Sequence, residues 1–452
     1  MKTCRVVAIA ALAAGLVACS TSSPPAVSPN GLTYTTNNAV YAAGLAIPPN
    51  TPTVGGGAVS TFSVSPALPT GLVLNATTGV ISGTPTEVTP IALYRVVANY
   101  VLGGNTSATL AISVVVGGFA SVGNMVNARS GHAASLLASG ALLVTGGYVG
   151  GGYLSSAELF APATATFKAT GSMANARSLH TATVLQSGLV LVAGGYGTGG
   201  VILASAELYD PAKGTFAAVP GSMVAARAGH TATLLQSGQV LLAGGTGPGG
   251  ILAGAEIYDP GTNTFAYAGS MTTMRSGQSA TLLQSGQVLL AGGYVGNSPL
   301  PTAEVYDPSA NTFTATGPMA AARALHVAAL LAGGQVLVAG GNSSVGYLAT
   351  AEVYDPSAGT FAATGSMIAP RSSHTGTTLQ GGKVLVAGGV NGSGYLVGAE
   401  VYDPASGTFS LTGNLPVPMA LHTAVPLPGG DVLVAGGWNE SGTLLNAELY
   451  TP

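Results

Sequence analysis

The residues that could do chemistry recur at fixed positions of a repeating unit. All six histidines, His132, His180, His230, His326, His374 and His422, share one such position, and a glutamine, Gln278, stands there in the fourth unit. Zinc or copper needs His, Cys or carboxylate ligands converging on one ion at about 2.0–2.3 Å. One histidine per unit around a repeat does not bring that about, so a strand-joining hydrogen bond is the expected role and no metal is expected. Arg129, Arg177, Arg227, Arg275, Arg323 and Arg371 occupy a second position, and Glu158, Glu207, Glu256, Glu304, Glu352, Glu400 and Glu448 a third. Asp210, Asp259, Asp307, Asp355 and Asp403 occupy a fourth, each before a proline, where an Asp carboxylate can accept backbone amides ahead of it and start a turn. The arginine and glutamate sets read as a structural ring of ion pairs. The alternative is a ring of guanidiniums that receives an anion, which the matching glutamates would neutralise.

The elements that must position these residues follow from the glycines. Doublets at Gly146-Gly147, Gly194-Gly195, Gly244-Gly245, Gly292-Gly293, Gly340-Gly341, Gly388-Gly389 and Gly436-Gly437 are spaced by 48 or 50 residues. Each unit offers four short strands: one after the Arg, one running into the glycines, one starting at Ala-Glu, and one carrying a Phe after the Asp-Pro turn. The first two are apolar on both sides, as strands are when both faces of their sheet are covered. Periods near 50 residues with four strands per unit belong to propellers. The last unit stops at Pro452 without a fourth strand, whereas Gly118-Phe119-Ala120-Ser121 before the first unit matches one. A strand within 117–122 is therefore expected to complete the last blade and leave no free edge at the seam.

The glycine doublet, downstream Tyr and late aromatic resemble the kelch repeat, and the expected fold is all-β: a seven-bladed kelch-type β-propeller over 117–452. Residues 31–116 read as a small Ig-like β-sandwich. Within them Leu68-Pro-Thr-Gly-Leu72 and Thr78-Gly-Val-Ile-Ser-Gly-Thr-Pro85 resemble a family of cadherin-like domains of bacterial surface proteins. Some relatives of that fold bind calcium, but Glu87 is the only acidic residue here, too few for a carboxylate cage. The domain reads as a spacer. At the N-terminus, Lys2 and Arg5 precede an apolar run too short for the ~20 residues of a membrane-spanning helix. The run ends in Leu16-Val17-Ala18-Cys19, which resembles a lipoprotein lipobox. The resemblance implies a signal peptide over 1–18, lipidation at Cys19 and a proline-rich tether over 19–30. An exported protein is then expected, lipid-anchored to the cell envelope, and Ser20 is compatible with sorting to an outer membrane.

Charged residues are 6% of the chain and the net charge is −3, without the basic stripe that nucleic acid requires. A monomer touching membrane only through its lipid is expected. The kelch resemblance also implies kinship with galactose-oxidase-like copper enzymes, whose radical cofactor needs a Cys crosslinked to a Tyr. Cys4 and Cys19 are the only cysteines, so the mature propeller has none to give, and no cofactor is expected. A sialic-acid mutarotase-like activity stays open, its acid and base drawn from framework glutamates or Glu440. So does a purely structural envelope role. The favoured reading is a non-catalytic binding or adhesion module for a glycan or an envelope protein. Its ligand candidates lie in the variable loops after the glycine doublets: Tyr148, Tyr153, Tyr196, Tyr294, Asn297, Asn342, Tyr347, Asn391, Tyr395, Trp438, Asn439 and Glu440.

Overall fold

The computed structural model describes residues 30–452. The signal peptide, Cys19 and all but the last residue of the tether lie outside the described residues. The N-terminal domain has eight strands: β1 (Asn30–Tyr34), β2 (Asn38–Ala42), β3 (Pro52–Gly55), β4 (Val59–Ser65), β5 (Leu72–Leu74), β6 (Ile81–Gly83), β7 (Thr89–Tyr100) and β8 (Asn105–Val115). They form a four-stranded sheet in the order β2-β8-β7-β4, with β2 parallel to β8, faced by the pairs β1-β3 and β5-β6. Alternation along β7 and β8 sends Tyr94, Val96, Ala98, Leu110 and Ile112 into a core with Leu32, Phe62 and Ile81.

The rest of the chain forms seven four-stranded antiparallel sheets. Blade 2 is representative, with strands Thr181–Val184, Val190–Ala193, Ala206–Asp210 and Thr215–Ala218 hydrogen-bonded in that order. The first strands of successive blades lie side by side, and that of blade 7 (Thr423–Pro426) neighbours that of blade 1 (Ala133–Leu136), so the ring is closed. The second strands are buried at every residue, because both their faces meet another blade: Leu143 of blade 1 packs with Val190 and Val192 of blade 2. The first strands differ from the sequence expectation of two covered faces. Most of their residues are half-buried, since one side borders the axis of the ring.

Closure is made by β9 (Gly118–Ser121), which pairs with Ala447–Thr451 as the outer strand of blade 7. Its Phe119 stacks tilted on Tyr450 at 4.9 Å, repeating the contact that Phe216 makes with Tyr209 inside blade 2. The N-terminal domain runs directly into this seam, where Thr412 Oγ1 donates to the Val116 carbonyl at 3.0 Å.

A second closure runs through backbone alone. The residue just before each histidine position has left-handed φ in all seven blades: Gly131, Leu179, Gly229, Gly277, Leu325, Ser373 and Leu421, between 52° and 62°. Each donates its N–H to the carbonyl of its counterpart in the preceding blade, from Leu179 to Gly131 at 2.8 Å round to Gly131 onto Leu421 at 3.3 Å. The result is an unbroken hoop of seven hydrogen bonds about the axis. The three leucines hold a conformation that costs an L-residue roughly 1–2 kcal/mol.

The hoop and the glycine doublets separate two reasons for glycine. A Cβ on Gly229 would meet nothing within 4 Å, whereas one on Gly194 would collide with the Arg227 carbonyl. Gly229→Ala is expected to cost only the backbone term, about 1 kcal/mol. Gly194→Ala is expected to cost more than twice that, because backbone must move as well. Denaturant midpoints of the two variants check the order.

Candidate functional site

The face of the ring that carries the glycine-doublet loops is built outward from the ion pairs. In six blades the guanidinium and glutamate meet, Arg129 on Glu158 and the other five pairs at 2.6–2.9 Å. Every member is buried. In blade 2, Arg177 also donates to the carbonyls of Gly194 and Ser205, while Glu207 accepts the N–H groups of Ala174 and Asn175. One pair thereby ties the entry to the first strand, the end of the second and the start of the third. Burial pulls the guanidiniums of Arg129, Arg177, Arg275, Arg323 and Arg371 down from the usual arginine range, and the adjoining glutamates work against that. A guanidinium with all these partners is not available to an incoming anion.

The histidines join neighbouring blades, not strands of one blade. His230 Nε2 meets Thr181 Oγ1 of the blade before at 3.1 Å, and His132, His326 and His422 do the same with Thr423, Ser279 and Thr375. In blade 1, Ala133 holds the usual hydroxyl position, and His180 bonds Thr145 from the paired strand instead. Blade 5 has Val327 there, and His374 Nε2 has no partner. Gln278 reaches the Ala243 carbonyl at 2.9 Å. Burial, with nearby arginines, pushes His132, His230 and His326 down to about 3; His422, with no arginine in its own unit, falls to about 4 by burial alone.

Above this framework, Tyr148, Tyr196, Thr246, Tyr294, Asn342, Val390 and Trp438 each bridge to the residue preceding a hoop member. They form a half-buried ring immediately outside the hoop. Three aromatics are consecutive: Trp438 of blade 7, Tyr148 of blade 1 and Tyr196 of blade 2. Tyr153 stands edge-on to Tyr148 at 5.5 Å. Tyr294 is engaged by Asn342 Nδ2 at 2.9 Å, and Tyr347 and Tyr395 pair across their hairpins from Asn342 and Val390. Asn297 and Glu440 are exposed at hairpin tips. Asn391 and Asn439 are turn-formers. Each accepts the N–H two residues on and donates to a proline carbonyl, Pro370 or Pro418, leaving little for a ligand. The sequence did not distinguish these asparagines from Asn297.

Comparison with known proteins agrees with this architecture. Residues 24–115 match the family described as "Putative Ig domain", and residues 277–320 and 371–416 match the Kelch motif. A fungal alcohol oxidase of the AA5 family, solved in complex with copper, superposes with a TM-score of 0.63 over 75% of this chain and 77% of its own, at 18% identity. A second solved structure, YjhT, gives a TM-score of 0.52 over 65% of this chain and 99% of its own, at 13% identity. The chain is a kelch-type β-propeller with an N-terminal Ig-like domain. No curated protein matches it. These likenesses carry the fold alone. The oxidase's metal prompts a test of fit, and the residues fail it. Both cysteines precede the described residues, the propeller histidines are spread one to a blade between sheets, and no three His, Cys, Asp or Glu side chains converge among the described residues.

Two outcomes test the kelch framework. Arg275→Met should cost about 3–5 kcal/mol by stranding the buried Glu304, and adding Glu304→Leu should recover most of it; thermal denaturation of the single and double variants reads this. The buried histidines are neutral when folded and bind protons when unfolded, so stability is present above pH 6.5 and falls as pH drops below it. His230→Gln, a replacement the fourth blade already carries at Gln278, should remain folded and flatten that acid limb by about 1.4 kcal/mol per pH unit. Denaturation series from pH 7 to 4 check it.

Proposed function

We propose that this propeller is a non-catalytic binding module that takes a carbohydrate on its glycine-loop face. The observation that carries the reading is the arc of Trp438, Tyr148 and Tyr196, half-buried at one repeat position of three adjacent blades. Flat aromatic faces with polar rims suit sugar rings, which present apolar C–H faces and hydroxyl edges. The exposed Glu440, two residues on from Trp438 at the tip of the same hairpin, supplies a hydrogen-bond acceptor. The arginines and six of the seven framework glutamates are spent within the blades, which supports binding over turnover. The lipobox resemblance at Cys19 supports display from a cell envelope, with the Ig-like domain as spacer.

Glycan-array binding of the chain lacking residues 1–19 tests the proposal, beside Trp438→Ala, Glu440→Ala and Tyr148→Ala variants. Bound glycans are expected, with affinity falling at least about 30-fold for Trp438→Ala, the loss typical of a hot-spot aromatic. Binding unchanged in all three variants would refute the site. A blank array would refute the carbohydrate and turn attention to protein partners.

A further inference from the structure

The seventh blade breaks the ion-pair rule. Its glutamate, Glu448, is present and buried, but Met419 stands where the other six blades have arginine. In those blades the glutamate also accepts two backbone amides, from Val126 and Asn127 in blade 1 and from their counterparts through Ile368 and Ala369 in blade 6. The first of these positions in blade 7 is Pro416, which has no N–H. Neither carboxyl oxygen of Glu448 has a hydrogen bond of normal geometry, and the one donor near it is the Ser121 hydroxyl. A carboxylate in that state is among the costliest groups a protein can bury, and the cheaper form is the neutral acid.

The surroundings offer no compensating charge. Glu448 shares its face with Val432, Val434 and Tyr450, which pack against Leu385, Ala387 and Ala399 of blade 6 and against Leu415 and Met419. The ionisable groups there are Tyr450, bonded to Thr412, and His422, bonded to Thr375. Arg371 and Arg129, in the flanking blades, are closed on Glu400 and Glu158. Directly across the sheet from Glu448 is Ser121 of β9. The orphan acid therefore lies in the very strand pair that closes the ring and joins it to the Ig-like domain.

We infer that Glu448 makes the seam a pH-responsive clasp: as a neutral acid it lets β9 seat against blade 7, and its ionisation favours release of that strand. Burial pushes its carboxyl up to about 7, while the neighbouring Ser121 hydroxyl draws it back in part. The folded value lies above the ordinary one of 4.5, so the stabilisation is fully present below pH 4.5 and is lost as pH rises to about 7, after which it is flat. This trend is opposite in sign to that of the histidines, and it is local to one blade.

Hydrogen exchange of the full chain between pH 5 and 8, corrected for intrinsic rates, tests the clasp. Amides of β9 and of Ala447–Thr451 are expected to lose protection by tens-fold, as a shift of this size dictates for any opening that hydrates the acid. The outer strand of blade 4, Thr312–Ala315, serves as the internal control and should not change. Glu448→Gln should abolish the pH dependence at the seam, and Met419→Arg should reduce it by restoring a cation. Equal pH dependence in Glu448→Gln, or a carbon-13 titration placing the Glu448 carboxyl near 4.5, would overturn the inference.

Discussion

A guanidinium that cannot reach water governs the architecture of six of the seven blades. Two sheets packed face to face leave no solvent between them, so an arginine there must find every partner within the protein. Arg227 does so at both terminal nitrogens, with Glu256 and the carbonyls of Gly244 and Gly254, and only its Nε goes without. These partners come from the end of the second strand, at Gly244, and the start of the third, at Gly254 and Glu256, and the arginine reaches them from the entry to the first only when both are in place. Because desolvation cancels much of the Coulombic gain, the pair adds less net stability than its distances suggest. What it supplies is selection: a blade with its second and third strands out of register would bury a charge without partners. The positive φ of the glycine doublet belongs to the same arrangement, since it turns the chain where the guanidinium is bound.

Ring closure poses a separate problem, because packing between neighbours does not by itself fix the number of blades. Two cyclic devices settle it. The hoop of backbone hydrogen bonds closes only when the seventh member reaches the first, and β9 can pair with Ala447–Thr451 only if the chain returns to its start. The leucines at 179, 325 and 421 show how firmly the hoop is held. Their left-handed backbone is unfavourable in isolation, yet they keep it, exposed by about two-fifths of their surface. Cooperative bonding around the ring outweighs the local preference.

Much of this was legible in the sequence, for physical reasons. Side-chain patterns imposed by burial repeat visibly, so strand order, the seven glycine doublets and the strand at 118–121 could be read. The hoop could not, because backbone bonds leave no residue signature where Gly, Leu and Ser all serve. The roles of the histidines were only half readable: recurrence at one position of the repeat announced a structural bond, but its partner lies one blade back, some 48 residues away in sequence. Asn391 and Asn439 looked like loop residues free for ligands. Their bonds to Pro370 and Pro418 depend on hairpin geometry that composition does not encode. Six arginines against seven glutamates was a discrepancy open to counting, yet its meaning needed the burial of Glu448.

Single departures occur elsewhere, Gln278 in blade 4 and Val327 in blade 5, but the arginine is lost only in blade 7, the one blade built from two distant segments. Six blades are made from contiguous chain and can form their ion pair as they fold. Blade 7 is completed by a strand that precedes the entire ring. With β9 unseated, an arginine there would share an open interface with water, and each reseating would carry its desolvation penalty. Met419, Leu415 and a glutamate able to go neutral lower that penalty. The ion pair ties six blades, and the blade that closes the ring is the one that does without it.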